Sequence, residues 1–336
     1  MTTALTFSIL RALSDAQFHS STALARQLGV SPASIATAMN GLDSLGVEVT
    51  RASALGYRLD VPIDWLDARQ IKLHLGTQAA KFELSVVDMA ASTNTTLLES
   101  AANGLPSGGV VTAELQTAGR GRRGRAWHTG LGGALTFSLL WRFEQGAGVL
   151  AGLGPAVGVA LVRALRNLGV TEVALKWPND VLIRHQKVAG TLVEIQGDVL
   201  GPSVAVIGVG INHCLDTATR QRIDQAVTDL RSAGVTADRN RVLAELLTQL
   251  AAMLEVFSTE GFGPLRKEWE GLHVYAGRRV ALRLPDGSIE QGTAAGVGDD
   301  GALLLQTDTG LRRFHSGEVS LRAVNVLSEP RSASSG

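Results

Sequence analysis

The segment with the most distinctive chemistry is residues 119–127, which read GRGRRGRAW. It carries four arginines, three glycines and no acidic residue, although the whole chain balances 31 Lys and Arg against 31 Asp and Glu. Glycines let backbone N–H groups approach an anion closely, and guanidinium groups match phosphate oxygens. Because this segment has little apolar surface to bury, we expect it to order around a bound phosphate or nucleotide. The alternative is a solvated basic loop that contacts nucleic acid non-specifically.

Polar and glycine-containing clusters stand before and after this loop. They are Ser92-Thr93-Asn94, Gln116, Lys176-Trp177-Pro178-Asn179-Asp180, Lys187 before Val188-Ala189-Gly190, and Gly208-Val209-Gly210-Ile211-Asn212. The first cluster begins a predicted helix, whose N-terminal N–H groups suit a small polar ligand. The lysines suit the charge of a polyphosphate. Taken alone, each cluster also has an ordinary structural explanation as a helix cap, a turn, an exposed strand lysine or a bulge.

The composition limits the class of protein. With 336 residues, 45% of them hydrophobic and 18% charged, the chain suits a soluble protein of two or three domains. Its single cysteine, Cys214, excludes an internal disulfide and a cysteine-based zinc site. We find no signal peptide and no segment with the roughly 20 apolar residues of a membrane helix. We therefore expect a cytoplasmic protein with no membrane partner.

Residues 1–62 are predicted to form a winged helix-turn-helix domain. One helix begins after Ser20, Gly29 ends it, and Ser31-Pro32 begins the next helix. Two short strands at 47–49 and 56–59 would form the wing. The residues placed to contact DNA are Ser31, Ser34, Thr37 and Asn40. Because residues 31–45 include no Lys or Arg, a purely structural role for this domain is an equally good prediction.

The rest of the chain is predicted to form two further domains and a tail. Residues 66–270 have the pattern of a mixed α/β domain. Its strand-like runs lie at 84–87, 110–114, 134–141, 188–195 and 204–211, and its helical stretches lie near 94–102, 150–168 and 239–259. Residues 272–326 contain short strands separated by Asp-Gly turn signals, typical of a small antiparallel β-barrel. Residues 327–336 are polar and predicted to be disordered.

In this order, the clusters resemble the signatures of the biotin protein ligases, and in particular of the bifunctional ligase-repressors. The arginine–glycine loop and the Lys176–Asp180 segment are the most specific of them. The resemblance covers nearly the whole chain and implies an α+β fold with three parts: an N-terminal winged helix-turn-helix, a central mixed α/β domain similar to class II synthetases, and a C-terminal SH3-like β-barrel. The helix that begins at Ser31-Pro32 would be the DNA-recognition helix. Its lack of Lys and Arg departs from the family pattern and affects only the expected repressor activity.

The resemblance implies a reaction in two steps. Biotin and ATP, with Mg²⁺, give biotinyl-5′-AMP, and a specific lysine of the biotin carboxyl carrier protein of acetyl-CoA carboxylase then attacks that anhydride. The implied biotin-binding residues are Ser92, Thr93, Asn94, Gln116, Arg120, Gly121, Arg122 and Lys187. The implied ATP- and adenylate-binding residues are Gly119, Arg120, Arg122, Arg123, Arg125, Trp127, Lys176, Asn179 and Asn212. The implied catalytic residues are Arg122, Lys176, Asp180 and Lys187, with Asp180 acting either on the metal or on the substrate lysine.

The resemblance implies further partners, and two other functions stay open. The partners are operator DNA, bound in response to biotinyl-AMP, and a second copy of the chain paired through sheet edges at 188–195 and 204–211. One other function is a lipoate or octanoate ligase on the same fold. Such an enzyme would need an extended acyl channel, and its family lacks this arginine loop pattern. The other is a metabolite-sensing transcription regulator with a degenerate enzyme domain, against which Lys176 and Lys187 argue.

Overall fold

A computed structural model describes residues 4–40, 42–45, 47–128, 130–284, 286–315 and 320–323, with the side chains of residues 43, 44, 320, 322 and 323 excepted. The predicted disordered tail, residues 327–336, lies outside these ranges. The first elements are helices α1 (Ala4–Ala12), α2 (Ser21–Leu28) and α3 (Pro32–Met39) and the antiparallel hairpin of β1 (Val49–Ala52) and β2 (Gly56–Leu59). The side chains of Ser20 and Ser31 cap α2 and α3, and Gly29 between them has φ 67°. Both predicted caps and the predicted glycine turn are confirmed.

A seven-stranded mixed sheet forms the centre of the molecule. Its strands are β3 (Glu83–Ala90), β4 (Gly109–Gln116), β5 (Ala134–Phe143), β6 (Val173–Lys176), β7 (Asp180–Ile183), β8 (Gln186–Gly197) and β9 (Ser203–Asn212). They lie in the order β3-β4-β5-β9-β8-β7-β6, and only β3 and β4 pair in parallel. The predicted mixed sheet and its five predicted strands are confirmed. The short strands β6 and β7, on either side of Pro178, were not predicted.

Helices cover both faces of this sheet. They are α4 (Ala68–Leu75), α5 (Thr93–Ala102), α6 (Leu153–Asn167), α7 (Thr217–Gln221), α8 (Arg239–Glu260) and α9 (Gly263–Leu272). Helices α6 and α8 share the main core with one face, whereas α5 packs on the other face through Leu97 and Ala101 against Val111, Leu140 and Val206. The N-terminus of α5 therefore lies over the face opposite the main core.

Two helical stretches correct one expectation from the sequence. Residues Ala147–Asn167 and Arg239–Glu260 are each long and apolar enough to cross a membrane by length and composition alone. The prediction that no segment reaches that length was therefore wrong. Within the fold, 72% and 56% of their most apolar windows are buried, which is also typical of core helices in soluble proteins.

A five-stranded antiparallel sheet follows α9. Its strands are β10 (Arg279–Arg283), β11 (Ile289–Val297), β12 (Leu303–Thr307), β13 (Gly310–Phe314) and β14 (Ser320–Ala323), in the order β13-β12-β11-β10-β14. Its apolar side chains belong to the same core as those of the central sheet. In addition, Trp177 Nε1 donates to the Gly301 carbonyl oxygen at 3.1 Å. The turn that follows β6 is thus anchored on the C-terminal sheet.

The segment between the N-terminal helices and the sheet is fixed by a buried ion pair. Arg239 Nη2 lies 2.6 Å from Glu114 Oε2, and both side chains have 0% exposure. The Arg239 Nε also donates to the Asp64 carbonyl oxygen at 2.6 Å, and the Leu66 N–H donates to Glu114 Oε1 at 2.7 Å. Burial raises the pKa of Glu114, and the adjacent Arg239 opposes that rise. The linker at residues 61–64, which joins the N-terminal domain to the sheet, therefore ends in a tightly bonded anchor.

The strand order also corrects the prediction about sheet edges. Strand β9 is flanked by β5 and β8, so residues 204–211 do not lie at an edge. Strand β8 pairs with β9 from Ala189 to Gly197, whereas β7 pairs with it only between Gln186 and Gly190. Thr191 still bonds to Asn179. Among the described residues, only 192–195 of the predicted segments lack a neighbouring strand, and they lack it on one side; residues 196–197 of β8 continue that open side.

Candidate active site

The site lies on the face of the sheet that carries α5, and the alternation along β9 explains why it lies there. Ala205, Ile207, Val209 and Ile211 face the main core. The alternate positions face α5 and change from Val204 and Val206 to Gly208 and Gly210. Where the valines stop, apolar packing against α5 also stops, and the glycines leave room above the sheet. Strand β9 therefore ends as the floor of a cleft.

Three glycines in this floor allow other side chains to approach the backbone of the sheet closely. A Cβ atom at Gly208 would lie 2.2 Å from Asn94 Oδ1, and one at Gly210 would lie 2.4 Å from Trp127 Cε2. At Gly190, opposite Gly210, a Cβ would lie 3.1 Å from Lys187 Cε and Nζ and in ordinary contact with the Trp127 ring at 3.4 Å. The pairing of β9 with β5 and β8 is regular here, which rules out the bulge considered from the sequence. Asn94 and Trp127 thus lie directly on the sheet.

One wall of the cleft is a network at the start of α5. Asn94 is buried, and its Oδ1 accepts from Ser138 Oγ at 2.5 Å. Gln116 Oε1 accepts from the Thr93 backbone N–H at 2.8 Å, and Ser138 Oγ also lies 2.7 Å from Thr93 Oγ1. Ser92 occupies the N-cap position but makes no side-chain capping bond. The network fixes Thr93 and Asn94 in place.

The arginine loop has a defined backbone. The Trp127 N–H donates to the Gly119 carbonyl oxygen at 2.9 Å, and the Gly121 N–H donates to the Arg125 carbonyl oxygen at 2.7 Å. Arg123 and Gly124 turn the chain with φ 60° and 68°. The loop is therefore a narrow hairpin whose tip is rich in guanidinium groups. Ordering around a ligand, as predicted from the sequence, stays a prediction.

The loop arginines differ in their surroundings. Arg122 is half-buried, and its Nη1 lies 3.5 Å from Asn179 Oδ1. Burial lowers the pKa of its guanidinium, the Asp180 carboxylate opposes that effect, and Arg123 adds to it. Arg123 and Arg125 are exposed, whereas Arg120 reaches Glu194 Oε2 at 3.0 Å. Arg122 is thus the loop cation closest to the turn after β6.

The opposite wall carries an ion pair that the sequence did not predict. Lys187 Nζ lies 2.6 Å from Asp180 Oδ1, and each side chain is 16% exposed. Lys187 Nζ also lies 5.6 Å from the centre of a Trp127 ring, within cation–π range. Asn179 Nδ2 donates to the Thr191 carbonyl oxygen at 2.7 Å, and Asn212 Nδ2 donates to the Thr228 carbonyl oxygen at 2.9 Å. Both amides are thus oriented by backbone groups.

The structure brings nearly every predicted site residue into one cleft of about 1320 Å³, including the space at its open mouth. Of the predicted biotin, nucleotide and catalytic residues, only Gly119 does not line it; this glycine closes the base of the hairpin. Lining residues that the sequence did not single out are His128, Phe137, Thr191, Leu192, Ile223, Gln225, Val227 and Leu321. Thr191 directly follows the Lys187–Gly190 cluster, so its place in the cleft could have been predicted from the sequence. No sequence pattern marks the other residues.

This arrangement suits the binding of two anions next to each other. Lys176, Lys187 and the loop arginines converge on one space. Over the described part of the chain, no group of three or more His, Cys, Asp or Glu side chains could hold a metal ion. A divalent cation here would take most of its ligands from phosphate and water, as Mg²⁺ commonly does, and Asp180 is the nearest carboxylate.

The residues predicted to contact DNA lie on one helix. Ser31, Thr37 and Asn40 are exposed on or beside α3, and Ser34 is half-exposed. Ser31 Oγ caps the Ser34 N–H at 3.1 Å. Asn40 Oδ1 accepts from Arg51 Nη1 at 3.2 Å. The β1–β2 hairpin therefore supplies a cation at the end of α3 that the helix itself lacks.

Comparison with known families gives two matches. Residues 86–212 match the biotin/lipoate A/B protein ligase family, and residues 275–322 match the biotin protein ligase C-terminal domain. The first match contains the arginine loop, both lysines and the glycine floor. The second contains the greater part of the five-stranded sheet.

Individual relatives extend the match to the N-terminal helices. The bifunctional ligase/repressor BirA of Salmonella typhimurium is 37% identical over 96% of this chain and 98% of its own length. The biotin--[acetyl-CoA-carboxylase] ligase of Mycobacterium tuberculosis is 35% identical over 71% of this chain and 90% of its length. The structure of the Aquifex aeolicus biotin protein ligase in complex with biotin and ATP superposes with a TM-score of 0.60 at 29% identity, covering 72% of this chain and 99% of that chain.

Proposed function

This chain belongs to the biotin protein ligase family, and from that premise we propose that it activates biotin with ATP and transfers it to protein. The product of the first step is biotinyl-5′-AMP, and the acceptor is a specific lysine of the biotin carboxyl carrier protein of acetyl-CoA carboxylase. The observation that carries the proposal is the convergence of the arginine loop, Lys176 and Lys187 on a cleft with a glycine floor.

The first step needs positive charge more than a protein nucleophile. The biotin carboxylate attacks the α-phosphorus of ATP, and pyrophosphate leaves. In this proposal Lys187 receives the carboxylate, and Lys176 and Arg122, which line the same cleft, offset charge that develops on the phosphate. In this proposal, Asp180 shares Lys187 with the incoming carboxylate and is the carboxylate available to Mg²⁺, whose other ligands are phosphate and water.

The two ends of the cleft suit the two substrates. The bonded wall of Ser92, Thr93, Asn94 and Gln116 offers fixed polar groups for the ureido ring of biotin, and Arg120 and Gly121 lie above them. Trp127, Asn179 and Asn212 would hold the nucleotide, with Gly119, Arg123 and Arg125 completing the loop around it. Closure of the loop over the adenylate would exclude water until the carrier lysine arrives.

Intact-mass analysis of the carrier tests this function. The chain is incubated with a biotin carboxyl carrier domain, ATP, Mg²⁺ and biotin, and we expect one biotinyl adduct on one lysine. Reactions without ATP, or with Lys187→Met enzyme, serve as controls and should leave the carrier unmodified. An unmodified carrier in the complete reaction, together with no pyrophosphate release, would refute the ligase proposal.

Lipoate or octanoate is the rival substrate on this fold. The C-terminal match is to biotin protein ligases, which favours biotin. The same mass assay with lipoate in place of biotin separates the two. An adduct formed with lipoate at an equal or higher rate would reassign the substrate.

Binding of operator DNA is a second proposed function, and the match to bifunctional relatives over the N-terminal helices supports it. In this proposal, residues 1–62 are a winged helix-turn-helix domain, 66–270 the catalytic domain and 272–326 an SH3-like barrel. Ser31, Ser34, Thr37 and Asn40 would face the DNA, with Arg51 at the edge. A salt titration of operator binding, with and without biotinyl-AMP, is the test. If the protein still bound operator DNA but no longer repressed transcription, DNA binding and repression would be separate activities.

Pairing of two copies through β8 is a further part of the proposal. The unpaired side of residues 192–197 adjoins Val199 and Leu200, which are 67% and 92% exposed. Antiparallel addition of a second β8 would join two sheets and cover these side chains. Sedimentation velocity with biotinyl-AMP would detect the dimer, and Val199→Lys should weaken it. We also propose a cytoplasmic location, where ATP and the carrier protein occur together.

A further inference from the structure

Glu194 links the arginine loop to the wall of the cleft. It lies on β8 opposite Val206, on the same face as Gly190 and Leu192 and below the start of α5. Its Oε2 accepts from Asn94 Nδ2 at 2.7 Å and from Arg120 Nη2 at 3.0 Å. One carboxylate oxygen therefore connects a buried residue of the wall to a guanidinium group of the loop.

The two partners of this oxygen differ in how firmly they are held. Asn94 is 4% exposed, lies on Gly208 and is bonded to Ser138, so it fixes the carboxylate in space. Arg120 is 45% exposed and lies on a hairpin whose backbone bonds, Trp127 to Gly119 and Gly121 to Arg125, are within the hairpin itself. The wall therefore orients Glu194, and Glu194 in turn orients Arg120.

We propose that Glu194 is a positioning residue that docks the arginine loop against the biotin-binding wall. The inference rests on the proposed function, because it gives the docked loop a role in retaining biotinyl-AMP. Glu194 touches neither reactant in this scheme and acts through Arg120 and Asn94. Its negative charge is required for Arg120, whereas its oxygen alone is sufficient for Asn94.

Glu194→Gln separates these two contacts. The amide oxygen still accepts from Asn94, but the charge that attracts Arg120 is removed. Because the ion pair is partly exposed, its loss should change a docking equilibrium only roughly two- to fivefold. The matched control is Glu290→Gln, since Glu290 pairs with Arg312 in the C-terminal sheet at 2.6 Å with side-chain exposures of 24% and 48%, against 26% and 45% for Glu194 and Arg120.

Two measurements test the docking. Trypsin cleavage after Arg122, Arg123 and Arg125, followed by mass spectrometry, reports how often the loop opens without any ligand. Stopped-flow dissociation of biotinyl-AMP reports how well the loop retains the intermediate. We expect Glu194→Gln to raise both rates roughly two- to fivefold, with the KM for biotin rising more than kcat falls, and Glu290→Gln to match wild type.

Two further experiments isolate the charge. In an Arg120→Met background, Glu194→Gln should add no further effect on either rate, because its partner is already gone. Added salt should speed loop cleavage of the wild type and have little effect on Glu194→Gln. Equal cleavage rates for wild type and Glu194→Gln, or an undiminished Glu194→Gln effect in the Arg120→Met background, would overturn the inference. If the wild type made no biotinyl-AMP, the proposed function would fail, while loop cleavage would still decide the role of Glu194.

Discussion

A buried histidine at the start of the C-terminal sheet should make the stability of this protein depend on pH. His273 is 5% exposed and stacks on Trp269 with ring centroids 4.7 Å apart. Tyr275 contacts it edge-on at 6.0 Å, and neither ring nitrogen has a hydrogen-bond partner in the described structure. Burial lowers the pKa of His273 from 6.5 to about 4. The folded protein therefore holds this imidazole in its neutral form.

The direction and size of the effect follow from this shift. Above pH 6.5 the side chain is mostly neutral in both the folded and the unfolded chain, so the free energy of unfolding depends little on its titration. As the pH falls from 6.5 towards 4, the unfolded chain gains a proton that the folded chain does not, and the free energy of unfolding decreases. Between pH 7 and pH 4.5 this single group should remove about 2.5 kcal/mol.

Urea unfolding of wild type and His273→Leu at several pH values measures this effect. The variant loses the stacking contact and is expected to be less stable at pH 7, but its stability should fall less steeply with acid. The difference between the two proteins should change by about 2.5 kcal/mol between pH 7 and pH 4.5. His74→Gln, at an exposed position of α4, is the control and should follow wild type. Parallel curves for wild type and His273→Leu would refute the reasoning.

Three other substitutions test the site and its support. Arg122→Ser should speed dissociation of biotinyl-AMP about 10- to 100-fold and increase labelling of bystander lysines, measured by stopped flow and mass spectrometry; dissociation no faster than wild type would contradict the role. Gly210→Ala places a methyl group 2.4 Å from Trp127 Cε2, so the indole must move, and calorimetry should show adenylate binding weakened about tenfold with the fold retained. Glu114→Gln leaves the Arg239 charge buried without its counterion and should cost about 3 kcal/mol in urea unfolding; a cost near zero would show that the amide compensates.

The sequence predicted the site through contiguous patterns and missed the contacts between them. The arginine loop, the Lys176–Asp180 segment and Gly208–Asn212 could be identified because each is a short run of unusual composition. The Lys187–Asp180 pair was not, because it depends on the register of β7 against β8. Strand β7 has only four residues and follows a proline turn, so its short apolar run is too short to recognise as a strand.

Longer-range contacts were invisible for a related reason. Glu114 and Arg239 read as ordinary strand and helix residues, although they form the buried pair that anchors the linker. Glu194 is predicted only as a polar residue on an alternating strand, and the position of Asn94 above Gly208 shows that it contacts the start of α5. Helix caps and strand alternation depend on neighbours in sequence, whereas these contacts depend on how distant elements pack.

Strand β9 explains how one sheet can support both a core and a binding site. On one face Ala205, Ile207, Val209 and Ile211 pack against the main core without interruption. On the other face the residues shorten from Val204 and Val206 to Gly208 and Gly210, so that the cleft begins where side chains end. Substitutions on the first face should therefore change mainly the free energy of unfolding, because they alter buried volume. Substitutions at the glycines should change mainly ligand binding, because they displace Asn94 and Trp127 from the floor. The two properties can vary independently along a single strand.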